Sequence, residues 1–174
     1  IGISVDWELL YSTISPTMQK ASQLSFIELY EMGREYRIES PTIWCPECET
    51  AVSQVELEDK ELDSFFNDIF FELENGEKII ISTTRPELLS ACVAIFVNPF
   101  DKRYSKLIGK KAIVPIFNQK VSILSDEKVA IDKGTGIVMC CTFGDLTDIE
   151  WQKQFSLPII KAINEKVILT EKAK

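Results

Sequence analysis

"DIFFELENGEKIIISTTRPELLSACVAIFV", residues 68–97, reads as three strands in succession. Asn75-Gly76 lies between two apolar runs and is expected to supply the positive φ angles of a two-residue hairpin turn. The second run stops in two threonines, an arginine and a proline, and a new strand is expected at once over 92–97. A plain connection uses Gly, Asn or Asp at such a point. Thr83, Thr84 and Arg85 look instead like groups set at a strand's end to hold something. Singly, each has a plainer reading: threonine is a β-branched strand former, and a surface arginine pairs with some acid.

Working outward, more strands are expected at 111–117, 120–124 and 136–141, with Asn118-Gln119 joining the first two of these. Their near-continuous apolar character places them in a closed or folded-over sheet. Upstream, Ser15 as N-cap and Pro16 at the first helical position open a helix that Gly33 closes. The expected fold is mainly β, a closed barrel-like body with peripheral helices and an N-terminal helical arm, α+β overall. Residues 1–59 form the arm and a Cys-bearing connector, 60–160 the body and 161–174 a return segment.

The 174 residues carry a net charge of −8, which argues against a chain that grips nucleic acid over its whole surface. The charge is uneven. Residues 45–79 hold eleven acids (47, 49, 56, 58, 59, 61, 63, 68, 72, 74 and 77) against Lys60 and Lys78. "KRYSKLIGKK" (102–111) holds five basic groups and no acid, either a solvated face or a point of contact with phosphates. No apolar run approaches the roughly 20 residues of a membrane span, and no signal peptide is visible. The opening "IGISVDWELL" suggests a piece of something longer, and a monomer is the default expectation.

Five irregularly placed cysteines make no secreted disulfide framework and suit a reducing cytoplasm. "WCPEC" (44–48) is one CxxC knuckle. Four zinc ligands need a second pair, which neither Cys92 nor the adjacent Cys140-Cys141 supplies. Cys45 and Cys48 are half of a split zinc ribbon completed outside this chain, or two free thiols. There is no histidine. That removes Ser-His and Cys-His catalysis and the usual general base near neutral pH.

"KGTGIVMCCTFGDLTDIEWQKQF" (133–155) is the second informative stretch. Gly134 and Gly136 let the backbone come close to a ligand at the start of a strand. The strand ends in Cys141-Thr142, and Thr147 to Glu150 reads as a capping box opening a helix. Asp148 then sits in the first turn, where an acid is favoured by the dipole whatever the function. Asp145, on the loop beside Gly144, is harder to explain that way. Two polar strand ends at one rim, one rich in hydroxyls and one in carboxylates, suit a substrate with an ammonium at one end and hydroxyls or phosphate at the other.

"STTRPELL…ACVAIFVNPFDKRYSKLIGKKAIVPIF" and "GTGIVMCCTFGD" followed by Asp148, Trp151 and Phe155 resemble the editing domain inserted in class I aminoacyl-tRNA synthetases. "IGISVDW" and "WCPECETAVSQVELED" resemble the segments leading into that insertion, so the likeness covers almost the whole chain. "PELLSACVA" is similar to members of the archaeal valyl type; isoleucyl members usually read TTRPWTLP. The resemblance implies hydrolysis of threonine wrongly esterified to tRNA(Val), and of threonyl-adenylate. It implies as partners the tRNA(Val) 3′ end, the threonine moiety and the rest of a parent synthetase. No cofactor is implied for editing; ATP belongs to the parent's synthetic reaction, whose HIGH and KMSKS signatures are absent here.

By position, Thr83, Thr84 and Arg85 fall in the segment that lines the family's pocket and meets the terminal adenosine. Gly134, Thr135, Gly136, Cys141 and Thr142 fall on its second motif. Asp148 matches the aspartate that binds the substrate ammonium, and Asp145 a residue near the side-chain hydroxyl. Bacterial valyl members have a threonine where this chain has Leu88, and a lysine and a threonine where it has Met139 and Cys141. The hydroxyl contact is therefore expected from Asp145, Thr142 or the Cys141 backbone, and the chemistry from direct attack by water. The rival readings are an isoleucyl editor that prefers valine, an inactive relic, and a non-catalytic zinc-ribbon module.

Overall fold

The computed structural model describes residues 2–171 and 173, in two compact units, Ile1–Pro41 and Thr42–Lys174. The first carries α1 (Pro16–Glu31). Ser15 caps it, its hydroxyl accepting the Met18 N–H at 3.4 Å, and Pro16 starts it, where a missing N–H costs nothing. Gly33, at φ 69°, stops it. Gly33 and Arg34 donate their N–H groups back to Tyr30 and Leu29, the paired bonds of a Schellman end.

The second unit opens with a small hairpin, β1 (Trp44–Cys45) and β2 (Thr50–Ala51), the seat of the CxxC knuckle. Its body is one six-stranded sheet built from β3 (Asn67–Leu73), β4 (Lys78–Thr83), β5 (Ala94–Val97), β6 (Lys111–Ile113), β7 (Lys120–Ser125) and β8 (Ile137–Cys140). The order across it is β4-β3-β6-β7-β5-β8, antiparallel except for β5 beside β7. The two outermost strands, β8 and β4, come back against each other without a ladder of hydrogen bonds. The body is a barrel with one open seam.

Alternation explains what fills the barrel. Phe71, Leu73, Ile79, Ile81, Ile95, Val97, Val121, Ile123, Ile137 and Met139 point inward to one core. The opposite faces of β5 and β8 bury Ala94, Phe96 and Cys140 under α2 (Leu146–Gln154), where Trp151 stacks on Phe96 with ring centroids 4.0 Å apart. Only β5 is buried along its whole length, and β8 nearly so; β3, β4 and β7 alternate with solvent. The uniformly buried strands expected from apolar content are therefore confined to those that α2 covers.

The structure changes three local expectations. The 68–83 hairpin closes through a three-residue loop, Glu74 to Gly76, with Gly76 N–H bonded to Leu73 O and only Gly76 at positive φ (85°). That is a type I turn with a glycine bulge rather than a two-residue turn. No strand follows Pro86 at once: Pro86–Ala91 is a run of 3₁₀ helix, and Cys92 caps its end instead of lying in β5. β6 ends at Ile113, so its link to β7 spans 114–119 and turns through Ile116 (φ 71°) and Asn118 (φ 55°).

The Phe96–Trp151 stack joins the barrel to α2, and Phe96 is fully buried. Phe96→Ala is expected to cost about 3–5 kcal/mol, the usual loss for an aromatic removed from a core. Denaturant unfolding with an unchanged m-value would register it. A loss below about 1 kcal/mol would mean that the contact between α2 and the barrel rests elsewhere.

Candidate active site

The end of β4, the end of β8 and the first turn of α2 meet at the open seam around a cleft of about 200 Å³. Six of the ten residues singled out in the sequence line it: Thr83, Thr84, Arg85, Cys141, Asp145 and Asp148. Phe66, Ser82, Leu88, Lys133, Ile137 to Met139 and Gly144 complete the wall.

Asp148 is the centre of this arrangement. Its residue is only 6% exposed. Its carboxylate accepts the Cys141 N–H at 3.2 Å. Burial pushes the carboxyl up to about 6, against the opposing pull of the Cys141 N–H, and the nearby Asp145 charge adds to the rise. Gly144 makes the room: a Cβ there would run into the Asp148 carboxylate. Helix α2 starts two residues earlier than its sequence suggests. Asp145, extended at φ −146°, is the N-cap, and its Oδ1 accepts the Asp148 N–H at 2.8 Å. Thr147 is therefore inside the first turn, because Asp145 three residues before Asp148 makes as good a cap as Thr147 before Glu150.

Arg85 spans the seam. One guanidinium nitrogen donates to Gly144 O at 2.7 Å, and Nε lies 3.3 Å from Glu87 Oε1. Its own N–H is held by the Thr83 hydroxyl at 3.1 Å. The acid partner expected of a surface arginine is present, and so is the reach across to the carboxylate rim.

The other four residues stand outside the cleft wall. Thr142, at φ 48°, turns the chain out of β8, and its buried hydroxyl donates to Ala91 O and accepts the Ile160 N–H. Thr135 gives its carbonyl to the Tyr104 hydroxyl. Gly136, at φ 81°, backs onto Arg103 and Ile131 O, where a Cβ would fall 2.6 and 2.8 Å away. Gly134 (φ 58°) lies behind the Ser82 and Phe66 wall, with 3.0 Å between a Cβ there and the Ser82 Cβ. Phe66, Ser82, Lys133, Ile137 and Val138 are wall residues that sequence reasoning did not single out. Lys133 opens the KGTG motif, but nothing local shows that it faces β4.

The barrel thiols, Cys92, Cys140 and Cys141, are buried and placed for packing rather than attack. A hydrogen bond with the Cys92 thiol, and then burial, push Cys141 far up, and burial does the same to Cys140; a nucleophilic cysteine needs the opposite shift. In the knuckle, the Cys48 N–H points at Cys45 Sγ at 3.5 Å and lowers the Cys45 pKa. Among the described residues no group of three or more Cys, Asp or Glu is disposed to hold a metal. No helix among the described residues is long and apolar enough to cross a membrane.

The family pattern of class I tRNA synthetases (I, L, M and V) matches residues 1–165. The Valine--tRNA ligase of Haloarcula marismortui is 54% identical over 181 residues, covering 99% of this chain and 20% of that protein. The Valine--tRNA ligase of Ehrlichia ruminantium (strain Gardel) is 57% identical over 157 residues, 90% of this chain and 19% of that protein. This chain thus spans about a fifth of the length of the curated relatives it matches. A solved ternary complex of Agrobacterium radiobacter K84 agnB2 LeuRS, tRNA and LeuAMS overlaps 86% of this chain and 28% of that one. Its TM-score is 0.47 at 18% identity, too slight a likeness to build on. With the pattern matched over nearly its full length, the chain belongs to the class I tRNA synthetases.

Proposed function

We propose that the seam cleft is the editing site of a valyl-tRNA synthetase, hydrolysing threonine wrongly esterified to the 3′ end of tRNA(Val), and threonyl-adenylate by the same chemistry. The observation that carries this reading is the buried Asp148 carboxylate facing a cleft whose opposite wall is Thr83, Thr84 and Arg85. The need for such a site is physical. A hydrophobic pocket rejects an isostere that adds a hydroxyl only weakly, and valine against threonine is the usual illustration. A second site that demands the hydroxyl sorts the pair, because valine would leave a buried polar group unpaired.

In this reading the Asp148 carboxylate holds the substrate ammonium and so fixes the ester carbonyl against an attacking water. Water adds to the carbonyl, the ester C–O bond breaks, and threonine and a free ribose hydroxyl leave. Asp145 is the best-supported reader of the threonine hydroxyl. The Thr142 hydroxyl is occupied by Ala91 and Ile160, and the Cys141 N–H by Asp148. Asp145 spends Oδ1 on the helix cap and lines the cleft. The same carboxylate, or the neighbouring ribose hydroxyl, orients the water. Aminoacylation with ATP and the main tRNA contacts belong to the rest of the synthetase.

Calorimetric binding of adenosine carrying amide-linked threonine, against its valine counterpart, tests the reading. Threonine is expected to bind at least about tenfold tighter, with binding abolished in Asp148→Ala, the scale of an unpaired buried group. Valine binding as well or better would favour an isoleucyl-type editor, and failure of both to bind would sink the proposal.

Protonation follows from the raised Asp148 pKa. Above about pH 6 the carboxylate is ionised and holds an ammonium; affinity for the threonine analogue should fall as pH drops through that value. A titration that stays flat down to about pH 5 would remove Asp148 from the ammonium contact.

The shift also weakens the fold, since the native carboxyl keeps its proton to higher pH than the unfolded one. Folding stability contributed by Asp148 therefore declines as pH rises from about 4 to about 6. Asp148→Asn should be at least as stable as wild type at pH 7 while losing the analogue. A fall of more than about 1 kcal/mol in chemical denaturation would mark Asp148 as a structural group instead.

A further inference from the structure

We infer that Asn98, Arg103 and Tyr104 are positioning residues for the cleft: they clamp the loop between β7 and β8 by its carbonyl oxygens and hold its far half, with Lys133 and Gly134, against the end of β4. This rests on the editing reading above and adds residues that lie outside the cleft and act through its wall.

The loop, residues 126–136, consists of turns and bends alone. Two of its own backbone bonds are long, Val129 N–H to Asp126 O at 3.3 Å and Lys133 N–H to Ala130 O at 3.4 Å. Firmer restraint comes from residues 98–104, which follow β5. Asn98 donates its side-chain amide to Glu127 O at 3.2 Å and to Val129 O at 2.8 Å. Arg103 donates to Ile131 O at 2.8 Å, and the Tyr104 hydroxyl to Thr135 O at 3.0 Å. Carbonyls that a strand would satisfy with backbone N–H groups are met here by side chains.

The clamp is itself fixed. Asn98 is buried, and its Oδ1 accepts the Phe100 N–H at 2.9 Å. Asp101, also buried, accepts Arg103 Nε at 3.0 Å and Nη2 at 2.6 Å, and that same Nη2 reaches Ile131 O. The guanidinium lies over the Tyr104 ring, 5.0 Å from its centroid. Gly136 supplies the room, since a Cβ there would meet Arg103 and Ile131 O at 2.6 and 2.8 Å.

The two halves of the loop differ in what else seats them. Val129 is buried with Phe96 and Trp151 and anchors the first half. Residues 130–134 are exposed, yet Lys133 lines the cleft and Gly134 packs on Ser82, with 3.0 Å between a Cβ there and the Ser82 Cβ. An exposed segment keeps a wall in place only when it is restrained, and Arg103 and Tyr104 grip it on either side, at 131 and 135. Ordering a loop on binding costs affinity, and a loop ordered beforehand avoids that cost. The clamp preorganises the wall.

The test is calorimetric binding of amide-linked threonyl-adenosine to the full chain, together with hydrogen exchange at the Lys133 and Gly136 amides. Tyr104→Phe removes one hydroxyl and keeps the ring; Arg103→Met removes the guanidinium. In both, the two amides should exchange at least about threefold faster, the scale of one lost hydrogen bond. The analogue should bind about threefold to tenfold more weakly, with one site per chain still filled. Saturating analogue should bring exchange back towards the wild-type rate, because ligand binding and loop order are linked. Gly136→Ala should reproduce both effects by pushing Arg103 off Ile131 O, and Lys106→Met, in the same basic stretch but outside the clamp, should behave as wild type. A role in folding alone would lower the number of filled sites and leave the affinity of the rest unchanged. The clamp is overturned if exchange does not change, if affinity stays within about twofold of wild type despite faster exchange, or if Lys106→Met weakens binding as much. Asp148-dependent binding that is indifferent to Tyr104→Phe and Arg103→Met refutes the clamp alone; wild type that does not bind the analogue refutes the editing reading and the clamp with it.

Discussion

The hydrogen bond from Arg85 to Gly144 O, 2.7 Å long, crosses the one place where the barrel fails to close. β4 and β8 lie against each other without a ladder, so no backbone bonds fix the distance between their ends. Arg85, held at its own N–H by the Thr83 hydroxyl, ties the β4 end to the loop that carries Asp145 and leads to Asp148. A fully laddered barrel would have no cleft there, and a seam without a tie would leave the hydroxyl rim and the carboxylate rim at no defined spacing. The site is thus a controlled defect in the sheet.

The carboxylate rim is set by backbone geometry. Gly144 leaves space for the Asp148 carboxylate, Cys141 N–H points at it, and Asp145 caps the helix that carries it. Burying Asp148 raises its pKa to about 6 and costs stability, a burden that a helix cap alone does not require. A cap already exists in Asp145. In the proposed editing reaction the buried second acid would find its use when an ammonium arrives to share the site. The cleft thiol at Cys141 is pushed away from ionisation by its hydrogen bond with Cys92 and by burial, and the chain has no histidine to serve as a base.

Much of this was legible in the sequence, and the gaps have physical causes. The helix over 16–31 was marked by Ser15-Pro16 and Gly33, local signals that no tertiary contact overrode. The hairpin was visible in Asn75-Gly76, but its loop length depends on which residues pair, and Leu73 N–H bonds Glu77 O. The 3₁₀ run after Pro86 was hidden because "PELLSA" is a short run with no side-chain cap, so nothing local separated it from the turn expected at Pro86. Thr142 matched a pocket motif by position, yet its hydroxyl is used to bind two backbone segments remote in sequence. Phe66 and Lys133 were invisible for a related reason: each joins the wall through an approach between distant segments that neither local sequence announces.

Binding alone would leave open whether the cleft does chemistry, so hydrolysis is the decisive quantity. The measurement is the rate at which this chain releases threonine, and separately valine, from a short RNA hairpin that ends in the tRNA(Val) acceptor sequence. The account predicts release of threonine well above the uncatalysed rate, little release of valine, and loss of the threonine rate in Asp148→Asn. Equal release of both amino acids, or a threonine rate that survives Asp148→Asn, would contradict it.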